Sequence, residues 1–222
     1  MLICNYLYNL YIYLYICNHM KKFIAIAGNI GIGKSTLTKK LAEHYDFKPY
    51  LEPFGENPYL QDFYKDMKKW AFHSQMYFLG KRLQDHYQLV IDKHSVIQDR
   101  SVYENAEVFA KHLYRKKFIS KRDWKVYNQI YKTCIRILPP PDLVIYLKAS
   151  VGNIMERIKN RGRDFEKSID ERYISDLNDL YDEWAGNFKL APVLVINYDD
   201  LDFKYREIDF KNFLDVAEEY LK

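Results

Sequence analysis

KKFIAIAG, from Lys21 to Gly28, runs directly into GNIGIGKS, from Gly28 to Ser35, and this junction decides the fold. The first stretch reads as a short buried strand. The second matches G-x-x-x-x-G-K-[ST], the loop that joins such a strand to a helix and cradles phosphate groups. Its glycines let the backbone curl so that successive N–H groups point inward, and the following helix N-terminus adds positive potential. Gly28, Asn29, Ile30, Gly31, Ile32 and Gly33 form the expected cradle for ATP. Lys34 is placed to reach the β- and γ-phosphates, Ser35 to ligand Mg²⁺, and Thr36 to add a hydroxyl to an inner phosphate. The bland alternative, a glycine-rich turn that happens to carry a lysine, does not account for the flanking strand and helix.

Outward from this loop, short β-branched or aliphatic runs alternate with longer amphipathic stretches, the pattern of crossover units around a parallel sheet. Strands are predicted at Phe23 to Ala27, Phe47 to Leu51, Ser95 to Gln98, Leu143 to Leu147 and Val193 to Ile196. The fold class is therefore α/β, a P-loop fold whose five-stranded parallel sheet is flanked by helices. Asn57 before Pro58 reads as a helix N-cap. Ser101 with Glu104, and Ser168 with Glu171, fit capping boxes. In a long helix from about Trp70 to Ile91, Phe72, Met76, Leu79, Leu83, Tyr87 and Val90 recur at three- and four-residue steps and predict a buried face. Pro139 to Pro141 break the chain before the fourth strand.

The 222 residues suit one domain with a sizeable core, and 34 basic against 30 acidic side chains leave a formal charge of +4. So mild an excess fits a nucleotide ligand and argues against nucleic acid, which needs a dense basic face. The basic stretch Lys116 to Arg122 reads as a solvated helix face. Cys4, Cys17 and Cys134 have neither disulfide-framework nor zinc spacing, which points to a reducing cytosol and no structural metal. Residues 1–19 carry no Lys, Arg, Asp or Glu and hold five tyrosines. Asn5, Asn9 and Asn18 interrupt this run and no basic flank precedes it, so a membrane anchor is the weaker reading. The expected organisation is an extension at 1–19 without a role in the chemistry, then a catalytic domain over 20–222.

Ligands of open α/β sheets bind beyond the carboxyl ends of the strands. Glu52 closes the second predicted strand and Asp99 the third, with Arg100 beside it. One carboxylate there can act as general base on an attacking hydroxyl and another can orient Mg²⁺. Either alone could equally be a strand-end cap; their shared approach to the phosphate loop favours function.

The order of motifs resembles that of the deoxyribonucleoside kinase family, particularly its short bacterial members. After the phosphate loop come LEP around Glu52, NPYLQDFY from Asn57 to Tyr64, WAFHSQ from Trp70 to Gln75, DRSVY from Asp99 to Tyr103, and RIKNRGR from Arg157 to Arg163. The resemblance implies transfer of the ATP γ-phosphoryl group to the 5′-hydroxyl of a deoxyribonucleoside. Glu52 would be the base, Arg100 its support, and Asp99 the magnesium carboxylate. Tyr64 and Asp182 would hold the sugar 3′-hydroxyl, with Glu183 as the alternative if the register differs by one. Gln75 would pair with the nucleobase against the ring of Phe109. Arg157, Arg161 and Arg163 would form an Arg-rich lid over ATP.

Independently, Gln75, Phe78, Leu79 and Arg82 share one helical stripe, and an amide and a guanidinium there want a planar polar partner, either a base edge or a core side chain. Many family members carry aspartate where this chain has Asn105, which cannot neutralise Arg82. By analogy the substrate expectation is a purine deoxynucleoside, deoxyadenosine first. A cytoplasmic homodimer is likewise implied by the resemblance alone. Two rivals stand: a nucleoside monophosphate kinase, whose acceptor would be repelled by Glu52, and a non-catalytic assembly subunit like one respiratory-complex relative of this family.

Overall fold

The computed structural model describes residues 21–52 and 54–221. The expected extension at 1–19, with Cys4 and Cys17, lies outside the described residues. Five parallel strands, β1 (Phe23–Gly28), β2 (Lys48–Tyr50), β3 (Val96–Asp99), β4 (Leu143–Lys148) and β5 (Val193–Asn197), form one sheet in the order β2-β3-β1-β4-β5. Each strand matches its predicted position to within a residue or so.

Strand β1 is buried along its whole length, as its unbroken FIAIAG run requires of a central strand covered on both faces. Pro49 sits in β2, which pairs only with β3 and is therefore an edge where a missing N–H is tolerated. The chain leaves β1 towards β3 and β2 and later crosses back to β4, so the topological switch lies beside β1, where the phosphate loop emerges.

Nine α-helical segments complete the described chain: α1 (Lys34–Tyr45), α2 (Leu60–Lys65), α3 (Met67–Ile91), α4 (Val102–Glu104), α5 (Lys111–Arg115), α6 (Lys121–Cys134), α7 (Val151–Arg161), α8 (Glu171–Asn187) and α9 (Glu207–Leu221). A π-helical stretch, Asn105–Ala110, connects α4 to α5. The long helix α3 starts where the Asp66 side chain accepts from Lys69 N. It ends where Lys21 Nζ donates to the carbonyls of Leu89, Val90 and Asp92, satisfying groups that the last turn leaves open.

Three local expectations are corrected. Asn57 does not cap a helix beginning at Pro58: its Oδ1 accepts from Tyr59 N in a turn, and α2 starts at Leu60. Ser168 is not the cap of α8, because the Asp170 carboxylate, a charged acceptor suited to the helix dipole, accepts from Arg172 N instead. The buried face of α3 runs through Ala71, Gln75, Leu79, Arg82, His86 and Leu89, whereas Tyr87 is 56% exposed. Of the predicted face, Leu79 is fully buried and Phe72, Met76 and Leu83 are half-buried against the core, while Gln75, Arg82 and His86 take the innermost positions. Of the Ser101–Glu104 capping box, the Glu104 half forms, Oε1 accepting from Ser101 N at 3.0 Å, while Ser101 Oγ makes no hydrogen bond.

Candidate active site

A cavity of about 720 Å³ opens at the carboxyl ends of the strands, with the phosphate loop and lid at one end and α2, α3 and the π-helical stretch at the other. Gly28, Gly31 and Gly33 have φ of 146°, 80° and 109°, and a Cβ on Gly31 would lie 2.5 Å from Ile158 Cγ1. Only glycine fits there. Ile30, Gly31, Gly33, Lys34, Ser35 and Thr36 line the cavity. Gly28, Asn29 and Ile32 stand behind its wall. Asn29 ties the loop down, donating from Nδ2 to Ile174 O at 2.9 Å and Asn178 Oδ1 at 2.7 Å while accepting from Ile30 N.

Lys34 is buried and donates to Asn29 O at 2.9 Å. Burial, then the nearby Arg100 charge, lowers its pKa to about 8. The Ser35 hydroxyl donates to Asp99 Oδ2, and Asp99 Oδ1 has no partner. Among the described residues no cluster of three or more His, Cys, Asp or Glu side chains could cage a metal. A serine hydroxyl, one carboxylate and the phosphate oxygens are the donor set that suits Mg²⁺, which keeps several waters of its own. The glycine cradle, the buried lysine and this pair fit Mg·ATP.

Glu52 is buried beside the loop. Its Oε1 accepts from Arg82 Nη2, and its Oε2 lies 3.5 Å from Arg100 Nε without a hydrogen bond. Burial pushes the carboxyl up, but the charges of Arg100, Arg82 and Lys34 outweigh it and hold the group below its ordinary value. Glu52 is therefore ionised at neutral pH with one oxygen unengaged. Arg100 adopts φ 68°, the left-handed region disfavoured for a side chain of its size, and its guanidinium lies 4.2 Å from the centre of the Phe109 ring.

At the acceptor end Tyr64, Gln75, Asn105 and Phe109 line the cavity as expected. Gln75 is buried with Oε1 unpartnered. Asn105 Nδ2 donates to the Tyr127 hydroxyl at 3.2 Å.

Two sequence expectations are not met. Arg82 is absent from the cavity wall: it is fully buried and holds Glu52 and, from Nη1, Asp99 O at 3.1 Å. With asparagine at position 105, the compensating carboxylate available to Arg82 is Glu52. Asp182 also lies off the wall, where Tyr146 and Lys148 donate to it, and Glu183 is held outside by Lys111 and Arg115. The resemblance gave a residue near the right helix, but α8 turns both carboxylates away.

Among the carboxylates that line the cavity, Glu166 is only 4% exposed and bound by Arg161 at 2.7 Å and by Arg163 at 3.4 Å. A sequence signal for it existed: an acid three residues after Arg163, just beyond the arginine-rich stretch. Arg157 also lines the cavity but is fixed, donating to Tyr198 O and Leu201 O and stacking over the Tyr198 ring. Glu104, read only as a cap, turns out to bind the loop as well. It accepts from Gly28 N, Ser101 N and the Tyr181 hydroxyl.

Comparison with known proteins agrees with this geometry. The deoxynucleoside kinase family model matches residues 24–222. A deoxyadenosine/deoxycytidine kinase of Bacillus subtilis is 37% identical over 202 residues, covering 89% of this chain and 93% of its own. A deoxyguanosine kinase of the same organism is 34% identical, covering 85% and 92%. Among solved structures, the deoxyadenosine kinase from M. mycoides with bound dCTP superposes with a TM-score of 0.76 at 30% identity, over 89% of this chain and 99% of that one.

Proposed function

The chain belongs to the deoxynucleoside kinase family and is an ATP-dependent nucleoside kinase; from that premise we propose that it phosphorylates the 5′-hydroxyl of a deoxyribonucleoside, deoxyadenosine first. The observation that carries the reading is the unengaged Oε2 of an ionised Glu52 beside the phosphate loop. Glu52 takes the proton from the 5′-hydroxyl as its oxygen bonds to the γ-phosphorus and the bond to the β-phosphate oxygen breaks, giving the 5′-monophosphate and ADP. Lys34, Arg100 and the lid arginines Arg161 and Arg163 face the charge that develops on the transferred group. Ser35 and Asp99 would hold Mg²⁺, which when bound would further neutralise the phosphate oxygens. Gln75 and Asn105 read the base and Phe109 packs on its ring. Tyr64 holds the sugar, with Glu166 in the role expected of Asp182.

A homodimer and a cytoplasmic location go with this reading. Val126 and Ile130, one turn apart on α6, are exposed apolar groups suited to a second copy of the chain. The test is incubation of purified protein with Mg·ATP and either the four deoxynucleosides or their monophosphates. Conversion of deoxyadenosine is expected; conversion of the monophosphates alone would overturn the assignment.

A further inference from the structure

Asn105 lines the cavity, and the structure shows what holds it. Its Nδ2 is turned to the Tyr127 hydroxyl, so Oδ1, which has no partner among the described residues, is the end left for the cavity. Tyr127 is fully buried and stacks at 11° on Trp124, which stacks at 9° on Tyr114, so the ring that anchors the amide is itself clamped. Gln75 contributes a second unpartnered amide oxygen to the same wall. Arg82, engaged by Glu52 and the Asp99 carbonyl, adds no cationic donor there.

We propose that Tyr127 is a positioning residue that fixes the Asn105 amide with its oxygen towards the cavity, so that Asn105 and Gln75 together select the bases with an amino group at purine C6 or pyrimidine C4, adenine and cytosine, over guanine and thymine, which carry an oxo group at that position. The inference rests on the cavity being the nucleoside site. An amino group carries two hydrogens, one for each amide oxygen, and the Gln75 Nε2 can then donate to the adjacent ring nitrogen. An oxo group would set its lone pairs against Oδ1. Gln75 can turn its amide to suit such a base, because nothing holds its oxygen; Asn105 cannot while Tyr127 holds its nitrogen. A tyrosine hydroxyl can also donate, so the polarity of this contact is what the variants must read.

The experiment measures kcat/KM for deoxyadenosine, deoxycytidine and deoxyguanosine with Mg·ATP in wild type, Tyr127→Phe, Asn105→Asp and the double variant, with thermal melts as a folding control. Wild type should prefer the amino bases by about tenfold or more. Tyr127→Phe should bring the ratio close to even. Asn105→Asp should keep the preference, since a carboxylate presents an oxygen whichever way it turns, and in the double variant it should restore what Tyr127→Phe lost. If Tyr127→Phe lowers all three substrates alike, or Asn105→Asp abolishes the preference, the proposal is wrong. Should Tyr127→Phe not fold, the Asn105→Asp arm still decides. A wild-type enzyme inactive on every deoxynucleoside would defeat the functional reading itself, whereas an active enzyme with an unmoved ratio defeats only this inference.

Discussion

Replacing Glu52 with glutamine removes a buried negative charge from between two buried arginines while leaving its shape and one acceptor in place. Two separable effects follow. Loss of the general base should lower kcat by roughly 10²-fold or more. Loss of the charge leaves Arg82 and Arg100 facing each other's field without their shared counter-ion, and breaking a buried pair costs about 3–5 kcal/mol. The lower end applies, because Arg82 keeps its bond to the Asp99 carbonyl. For a domain of this size about 3 kcal/mol corresponds to a fall of roughly 6–12 °C in Tm.

Bound triphosphate then supplies the missing negative charge, so the Tm gap between variant and wild type should narrow at saturating Mg·ATP. The wild-type carboxyl, held below its ordinary value of 4.5, contributes stability above that pH and loses it as pH falls through the lower folded value. Glutamine should flatten this acid limb. A coupled ADP assay and thermal melts with and without Mg·ATP read both effects. Turnover within about fivefold of wild type would remove Glu52 from the chemistry, and a Tm gap indifferent to ATP would show that the arginines do not sense its charge.

Three further outcomes are expected. With a pKa of about 8, Lys34 is cationic below that pH and neutral above it, so the KM for ATP should climb as pH passes 8 and ATP binding near pH 8 should take up protons; a flat KM between pH 7 and 9 would contradict this. Gly31→Ala forces a Cβ into Ile158 at a φ of 80°, which should cost about 1–3 kcal/mol in melts and remove ATP-dependent stabilisation. Glu166→Gln should raise the deoxynucleoside KM by about tenfold, while a 2′,3′-dideoxynucleoside, lacking the group that Glu166 would hold, should be handled alike by variant and wild type.

The sheet and the phosphate loop were legible because each is written locally. FIAIAG is a buried-strand run, and GNIGIGKS encodes its turn in glycines that no other residue can replace at those φ values. The carboxylates Glu52 and Asp99 could be found because strand ends are readable and the fold rule places ligands there. What could not be read depends on how side chains are shared across the core. Arg82 lies on the predicted stripe, yet its partner is thirty residues away in sequence and not on the same element. Asp182 and Glu183 differ from Glu166 only in which way a helix or loop turns them, and periodicity does not fix that rotation. The innermost positions of α3 were missed for a related reason: Gln75, Arg82 and His86 occupy them, and apolar periodicity does not register polar side chains.

Arg100 has a consequence for how far this protein can be stabilised. A left-handed backbone at a non-glycine residue costs about 1–2 kcal/mol, and glycine would relieve it but would strip out the guanidinium that faces Glu52 and covers Phe109. Breaking that buried pair costs about 3–5 kcal/mol, more than the strain relieved, so stability and turnover both hold the arginine in place. Screens that select for heat tolerance alone should therefore keep arginine at position 100 and leave its backbone strain in place.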